Sequence, residues 1–192
     1  MKKITITAFE PFGIIPTNSS LEVLKALPEE NITKLILPVS YQKCDQAIKS
    51  LLLEGQPDFL LLLGQAQNRR VVSLEQIAIN LINTPTPDND GKAYLEASIK
   101  DDGADGYFNT IDSTNIINLL APKHPLSLSY SAGVYVCNYI FYLALYYVKK
   151  FNLTTKVGFI HFPLYKNQTN DNSETLPLDT MVAATKDIID LL

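Results

Sequence analysis

The chain has 192 residues, of which 46% are hydrophobic and 19% are charged, and its formal net charge is -4. This composition is typical of a globular protein with a substantial core and excludes an intrinsically disordered chain. Lysine and arginine are scattered along the sequence without forming a basic stripe, which argues against nucleic acid as a partner.

Two stretches bear on the compartment. The start, MKKITITAFEPFG, lacks the apolar core of a signal peptide, because threonines interrupt it and Glu10 and Pro11 end it. The most apolar stretch, Val134 to Val148, is too short to span a bilayer. We therefore expect a soluble cytoplasmic protein without a membrane partner, in which Cys44 and Cys137 are free thiols.

Strand and helix patterns alternate through the first half of the chain. β-Branched residues mark the first strand, Asn18 and Ser19 are both candidate caps for the first helix, and the apolar run DFLLLLG is typical of a strand buried on both faces. The predicted elements are a strand at 2–9, a helix at 21–27, a strand at 33–39, a helix at 42–53, and strands at 58–64 and 71–82.

The second half continues this alternation after a long polar segment, 83–106, that is rich in Pro, Asp and Gly and is predicted to be irregular. The order predicts a three-layer α/β/α sandwich around a largely parallel, mixed twisted sheet, forming a single domain over residues 1–192. Its remaining elements are a helix at 111–120, a strand at 126–130, a helix at 135–150, a strand at 155–162, a mobile loop at 166–174 and a helix at 178–192.

Cys137 is the first candidate for chemistry. It falls in the first turn of the helix at 135–150, where free backbone N–H groups and the helix dipole stabilise a thiolate. Ligand sites in open α/β sheets lie beyond the carboxyl ends of strands. His161 ends the apolar strand VGFIHF, at the same edge if that strand is parallel, so a nucleophile and a base are expected to meet there.

The alternative for Cys137 is ordinary packing, since free cysteines are among the most buried residues. The residues alone leave both interpretations open. Cys44, in the polar segment YQKCDQ, is interpreted as structural or incidental, and His124, between two prolines, as a surface-loop residue.

Five segments together resemble the pyroglutamyl-peptidase I (pyrrolidone-carboxylate peptidase) family. They occur in the family's order across nearly the whole chain, and five motifs with matching separations are far more specific than one. The segments are TAFEPFG (family GFxPFG), GQAQNRRVVSLEQIAINL (family GQAGGR…E..A.N), PDNDG (family PDNxG), SAGVYVCNYIFY around the family's nucleophile and GFIHFP around its histidine.

The resemblance implies a cysteine peptidase that removes N-terminal pyroglutamate from peptides through a thioacyl-enzyme. It assigns Cys137 as the nucleophile, His161 as the general base and Glu75 as the acidic third member. A carboxylate on the second ring nitrogen would fix the tautomer and stabilise the imidazolium. The residues alone do not select Glu75 over Glu10 or Asp88.

The resemblance also implies a substrate pocket. Pyroglutamate is a flat, neutral lactam, so its pocket needs apolar walls and hydrogen bonds rather than an acidic anchor. The mechanism needs no metal or organic cofactor, and family members are often homo-oligomers, so a dimer or tetramer is expected. The implied substrate-binding residues are Phe9, Phe12, Asn18, Gln65, Tyr135 and Val136; for the two phenylalanines the alternative is core packing.

The match fails at several positions. Pro85 stands where the family has an arginine thought to serve the oxyanion site, and loss of one such donor costs roughly a hundred- to a thousand-fold in turnover. Arg69 or Arg70 is a candidate substitute, and Gln67 and Asn68 replace a glycine pair. These changes keep two alternatives open: a thiol hydrolase of altered specificity, and a weakly active or non-catalytic homologue that binds peptide N-termini.

Overall fold

The computed structural model describes residues 2–13, 15–166, 168–169 and 175–192. A single π-helical turn at Leu51–Gly55 extends the second helix. In chain order the elements are β1 (Ile4–Phe9), α1 (Ser19–Ala26), β2 (Ile32–Leu37), α2 (Tyr41–Ser50), β3 (Phe59–Gln65), β4 (Val72–Glu75), β5 (Ile77–Ile79), β6 (Ile82–Thr84), β7 (Tyr94–Ala97), β8 (Gly106–Phe108), α3 (Ser113–Leu120), β9 (Leu126–Ser129), α4 (Val136–Lys150), β10 (Lys156–Phe162) and α5 (Leu178–Asp190).

A six-stranded sheet in the order β2-β1-β3-β10-β4-β9 forms the centre of the fold. Strands β2, β1, β3 and β10 are mutually parallel. Strand β4 runs antiparallel to β10, and β9 runs parallel to β4. The sheet is therefore largely parallel but mixed, as the sequence predicts.

Helices cover both faces of this sheet. Because successive side chains of a strand point to opposite faces, Leu60 and Leu62 of β3 pack with α2 and α4, whereas Leu61 and Leu63 pack with α1, α3 and α5. All four leucines are fully buried. This arrangement is the predicted three-layer sandwich, and it confirms that β3 is buried on both faces.

The stretch predicted as one strand over 71–82 is instead three short strands. β4 belongs to the central sheet, β5 pairs with β8, and β6 pairs with β7 inside the segment predicted to be irregular. Where the chain leaves the central sheet, the side chain of Asn138 on α4 binds its backbone: Oδ1 accepts from Ile79 N, and Nδ2 donates to the carbonyls of Ile79 and Leu81.

Two further expectations concern loops and the membrane. Much of the loop predicted at 166–174 lies outside the described residues, since 167 and 170–174 are not described. Over the described ranges, no helix has the length and apolar character needed to cross a membrane.

Candidate active site

Cys137 is the second residue of α4, in a helix whose remainder is anchored in the core. The side chains of Ile140 and Phe141 are fully buried, and Asn138 is tied to the β5–β6 segment by the three hydrogen bonds described above. These contacts hold the first turn of α4 in place, so the position of the thiol is set by the rigid core.

The thiol reaches the carboxyl edge of β10, but by a route that differs from the one the sequence suggests. Because β9 runs opposite to β10, its carboxyl end does not point toward the edge where β10 ends, and residues 130–135 connect it to α4. A Cβ added to Gly64 would lie 3.0 Å from Cys137 Sγ, and Gly64 pairs with His161 in the sheet. The structure therefore brings the thiol and the imidazole to neighbouring positions.

His161 is held by Glu75 from the adjacent strand. The distance between His161 Nδ1 and Glu75 Oε1 is 2.8 Å, and the two residues are 4% and 1% exposed. A carboxylate at Nδ1 places the ring proton on that nitrogen and leaves Nε2 as the acceptor. The glutamate is thus a buried partner of the imidazole rather than a solvated strand residue.

The two other candidate carboxylates have different partners. Glu10 Oε1 accepts from the backbone N–H of Val39 and from Asn89 Nδ2. The carboxylate of Asp88 accepts from the backbone N–H groups of Tyr41, Asp90 and Lys92, which ties the PDNDG loop to the start of α2. Of the three carboxylates that the sequence left open, Glu75 is the one that contacts His161.

Arg69 extends the His161–Glu75 pair into a row of three charged or polar groups. Its Nη2 lies 3.1 Å from Glu75 Oε1, 2.8 Å from Ser129 Oγ and 2.9 Å from the carbonyl oxygen of Ser131. The sequence suggests Arg69 as a substitute for the missing oxyanion donor. In the structure Arg69 Nη2 instead contacts Glu75 and neutralises its buried carboxylate.

Burial governs the ionisation of the thiol. It raises the pKa of Cys137 to about 12, and negative charge at Cys44 and Glu75 acts in the same direction. The sequence predicts a thiolate stabilised by the start of the helix, whereas desolvation, the largest cause of this pKa shift, acts in the opposite direction. This shift favours the protonated form of the thiol.

Cys44 lies in the core of the protein. It is fully buried, its Sγ donates to the carbonyl of Pro38, and burial raises its pKa to about 12 as well. His124, expected in a surface loop, is held by Asp187 of α5 through a contact of 2.7 Å between Nε2 and Oδ2.

A cavity of about 220 Å³ opens beside the thiol. Its wall includes Tyr135, whose ring lies 5.4 Å from that of Phe12 and whose hydroxyl donates to the carbonyl of Pro87. Its lining comprises all six residues expected to bind substrate, namely Phe9, Phe12, Asn18, Gln65, Tyr135 and Val136, together with Cys137, Val39 and Gln67.

Sequence reasoning missed Val39 and Gln67 as lining residues. Val39 follows the carboxyl end of β2, so its place at the site-bearing edge was a usable signal. Gln67 was noted only as a replacement for glycine. Pro85 follows β6 and is exposed to solvent, and it does not belong to the lining.

Two of the three amides that line the cavity, Asn18 and Gln65, are held by the start of α1. Asn18 is the N-cap of α1: its Oδ1 accepts from the backbone N–H and hydroxyl of Ser20, while its Nδ2 donates to the carbonyl of Glu10. Gln65 Oε1 accepts from the backbone N–H of Ser19 at 2.7 Å. The cap thus builds the polar side of an otherwise apolar pocket.

A thiol, an imidazole and a buried carboxylate beside an apolar pocket, on an α/β sandwich, define a cysteine-type hydrolase. A family model described as Pyroglutamyl peptidase matches residues 2–191. The chain belongs to the pyroglutamyl peptidase family.

Individual relatives agree with this assignment. The pyrrolidone-carboxylate peptidases of Thermococcus onnurineus and Lactobacillus acidophilus are 35% and 37% identical, over 97% and 94% of this chain and 96% and 93% of theirs. The solved pyrrolidone carboxyl peptidase from Thermococcus litoralis is 30% identical, with a TM-score of 0.93 over 100% of this chain and 93% of that one. Pyroglutamyl peptidase I from Bacillus amyloliquefaciens gives 30% identity and a TM-score of 0.92, over 97% and 94% of the two chains.

Proposed function

We propose that this protein hydrolyses the bond after an N-terminal pyroglutamyl residue, with Cys137 as nucleophile, His161 as general base and Glu75 as the residue that orients His161. The observation that carries the proposal is the 2.8 Å contact between His161 and Glu75, at the sheet edge where Cys137 lines the cavity.

The first half of the reaction forms a thioacyl-enzyme. His161 Nε2 takes the proton of Cys137 as the sulfur attacks the carbonyl carbon of the pyroglutamyl residue. Because burial raises the pKa of the thiol, a base that accepts its proton promotes the attack. The imidazolium then protonates the leaving amine, and the C–N bond breaks.

The second half releases pyroglutamate. A water molecule gives a proton to His161 Nε2 and attacks the thioester carbonyl, and the C–S bond breaks as the sulfur regains the proton. Throughout, Glu75 accepts the Nδ1–H of His161 and stabilises the positive charge on the ring. Free N–H groups at the first turn of α4 are the available donors for the oxyanion, since Pro85 offers none.

Selectivity follows from the cavity lining, which contains no charged side chain among the described residues. An ordinary peptide carries an N-terminal ammonium, and placing that charge against Phe9, Phe12 and Val136 would strip its hydration without compensation. The neutral lactam of pyroglutamate avoids this penalty. The pocket therefore selects against free N-termini by desolvation.

The two alternatives from the sequence are not favoured. A non-catalytic homologue that binds peptide N-termini has no need for a buried imidazole–carboxylate pair beside a thiol. A thiol hydrolase of altered specificity would be expected to change the pocket, yet the residues expected for pyroglutamate line the cavity.

The wider setting is also a proposal. We infer a single domain over residues 1–192 and a cytoplasmic location, both from the sequence pattern, and a homodimer or homotetramer, which the family resemblance supports. Light scattering on the purified protein tests the assembly: a mass of two or four chains is expected, and a monomer at micromolar concentration would contradict it.

The experiment for the proposed activity compares fluorogenic amides that differ only in the acyl group. Pyroglutamyl-aminomethylcoumarin should be cleaved with a kcat/KM at least about a thousand-fold above that of the glutaminyl and prolyl amides, because both competitors carry an ammonium. Equal cleavage of the three would reject the proposed specificity.

A further inference from the structure

Gln168 lies in the connection between β10 and α5, and its carboxamide joins three segments of the chain. Its Oε1 accepts from the backbone N–H of Tyr165 at 2.9 Å. Its Nε2 lies 2.9 Å from Gln65 Oε1, 3.2 Å from the carbonyl oxygen of Thr17 and 3.1 Å from Thr17 Oγ1. The residue therefore links the end of β3 to the segment that precedes α1.

These contacts fix which way both amides face. The backbone N–H of Ser19 can only donate, so the Gln65 atom 2.7 Å from it must be the oxygen. In the same way the backbone N–H of Tyr165 fixes the oxygen of Gln168, which turns Gln168 Nε2 toward Gln65. Two donors thus occupy Gln65 Oε1, and Nε2 is the part of the Gln65 amide left to meet a ligand.

A pyroglutamyl ring presents one N–H donor and one lactam carbonyl. Gln65 Nε2 is a donor and matches only the carbonyl. Since most of the cavity wall is apolar, a hydrogen bond at this point would favour the lactam strongly over a ring without the carbonyl.

We propose that Gln168 is a positioning residue for substrate selection, which holds the Gln65 amide so that Nε2 donates to the lactam carbonyl. The inference rests on the proposed function for the identity of the substrate. The orientation of the amide is independent of that function, and so is its consequence for binding a lactam.

The test uses Gln168→Glu, which has nearly the same shape but replaces the donor by a carboxylate. The carboxylate would repel Gln65 Oε1 across the former 2.9 Å contact, while the backbone N–H of Ser19 still requires an acceptor, so no orientation of the Gln65 amide satisfies both neighbours and Nε2 loses its fixed position. We expect KM for the pyroglutamyl amide and the Kd for 2-pyrrolidone each to rise about tenfold, as loss of one such hydrogen bond implies. The expected change in kcat is under about threefold, because the lost contact serves the ground state and the transition state alike.

Two comparisons separate positioning from a general structural effect. Gln42→Glu introduces the same charge at an exposed residue of α2, and it should leave KM and Kd unchanged. Gln168→Leu should raise KM in the wild-type background but add nothing in a Gln65→Leu background, because both variants remove one pathway. Additive effects, or a fall in kcat with KM unchanged, would overturn the proposal.

A measurement on the unmodified protein does not depend on the folding of any variant. The NMR resonance of the Gln65 side-chain amide should shift when 2-pyrrolidone is added and shift much less with pyrrole, a neutral five-membered N–H ring without the carbonyl. No shift at saturating 2-pyrrolidone, or no binding of 2-pyrrolidone at all, would reject the role of Gln168. Binding and shift in a protein that cleaves no pyroglutamyl amide would instead reject the proposed function alone.

Discussion

His161 and Glu75 lie on adjacent antiparallel strands, with Nδ1 and Oε1 2.8 Å apart and both side chains almost inaccessible to solvent. The other carboxylate oxygen, Oε2, is buried and has no hydrogen-bond partner among the described residues. His161 and Arg69 therefore both contact the same carboxylate oxygen, Glu75 Oε1.

Glu75→Gln should disable this pair without removing its bulk. The new amide would place a buried NH2 group where the structure offers it no acceptor, and it would no longer stabilise the imidazolium. We expect kcat for the pyroglutamyl amide to fall about a hundred- to ten-thousand-fold with little change in KM. Steady-state kinetics checks this, and a kcat within threefold of wild type would contradict the role of Glu75.

Arg69→Met should leave the buried Glu75 without its cation. The expected cost is about 2 kcal/mol in the free energy of unfolding, since hydrogen bonds to charged groups are among the stronger ones. Urea titration measures it.

Lys25→Met is the control for Arg69, because Lys25 pairs with Glu22 on an exposed surface. Its expected cost is under about 0.5 kcal/mol. An equal loss in the free energy of unfolding in the two variants would show that the Arg69–Glu75 pair stabilises the protein no more than an exposed ion pair does.

The raised pKa of Cys137 makes its alkylation depend on pH in a defined direction. Iodoacetamide reacts with the thiolate, and with a pKa of about 12 the thiolate fraction grows with pH throughout the accessible range. The rate of Cys137 labelling should therefore rise about tenfold per pH unit between pH 7 and 10.

Peptide mass spectrometry reads both thiols in one sample. Cys44 is fully buried and should react more slowly than Cys137 at every pH, because it must wait for the structure to open. A Cys137 rate that already levels off between pH 6 and 8 would show that the start of α4 and His161 outweigh burial.

Gly64→Ala tests the placement of the sulfur. The added Cβ would lie 2.8 Å from Phe159 Cζ and 3.0 Å from Cys137 Sγ, so the thiol or the ring must move. Displacement of a reacting atom by about 1 Å can cost on the order of a hundred-fold in turnover, and overpacking of this kind costs about 1–3 kcal/mol in stability.

Gly55→Ala is the matched control, because a Cβ there would meet nothing within 4 Å. It should leave both turnover and stability close to wild type. Unchanged turnover in Gly64→Ala would mean that Cys137 Sγ does not have to occupy this position during the reaction.

The features that could be predicted from the sequence are those with strong local signals. Three elements appear as predicted: the apolar strand β3, the helix from Val136 and the strand that ends near His161. Each is buried, and a continuous run of apolar residues in the sequence indicates that burial. The division of 71–82 into three strands was not predictable, because each short strand pairs with a different partner elsewhere in the chain and Asn138, more than fifty residues away, binds the segment between them.

The site residues also fall into those with a local sequence signal and those without one. The helix start at Cys137 and the strand end at His161 were visible locally, whereas Glu75 needed the family resemblance, because only the pairing of β4 with β10 brings it to the imidazole. Gln168 gave no local signal, since its role depends on contacts with Gln65 and Thr17 more than a hundred residues away.

Release of aminomethylcoumarin from its pyroglutamyl amide by wild type, Cys137→Ala and Cys44→Ala tests the thiol mechanism most directly. We expect release by wild type and Cys44→Ala, and none above background by a folded Cys137→Ala. Release by Cys137→Ala at the wild-type rate would contradict the thiol mechanism, and no release by folded wild type would contradict the proposed activity.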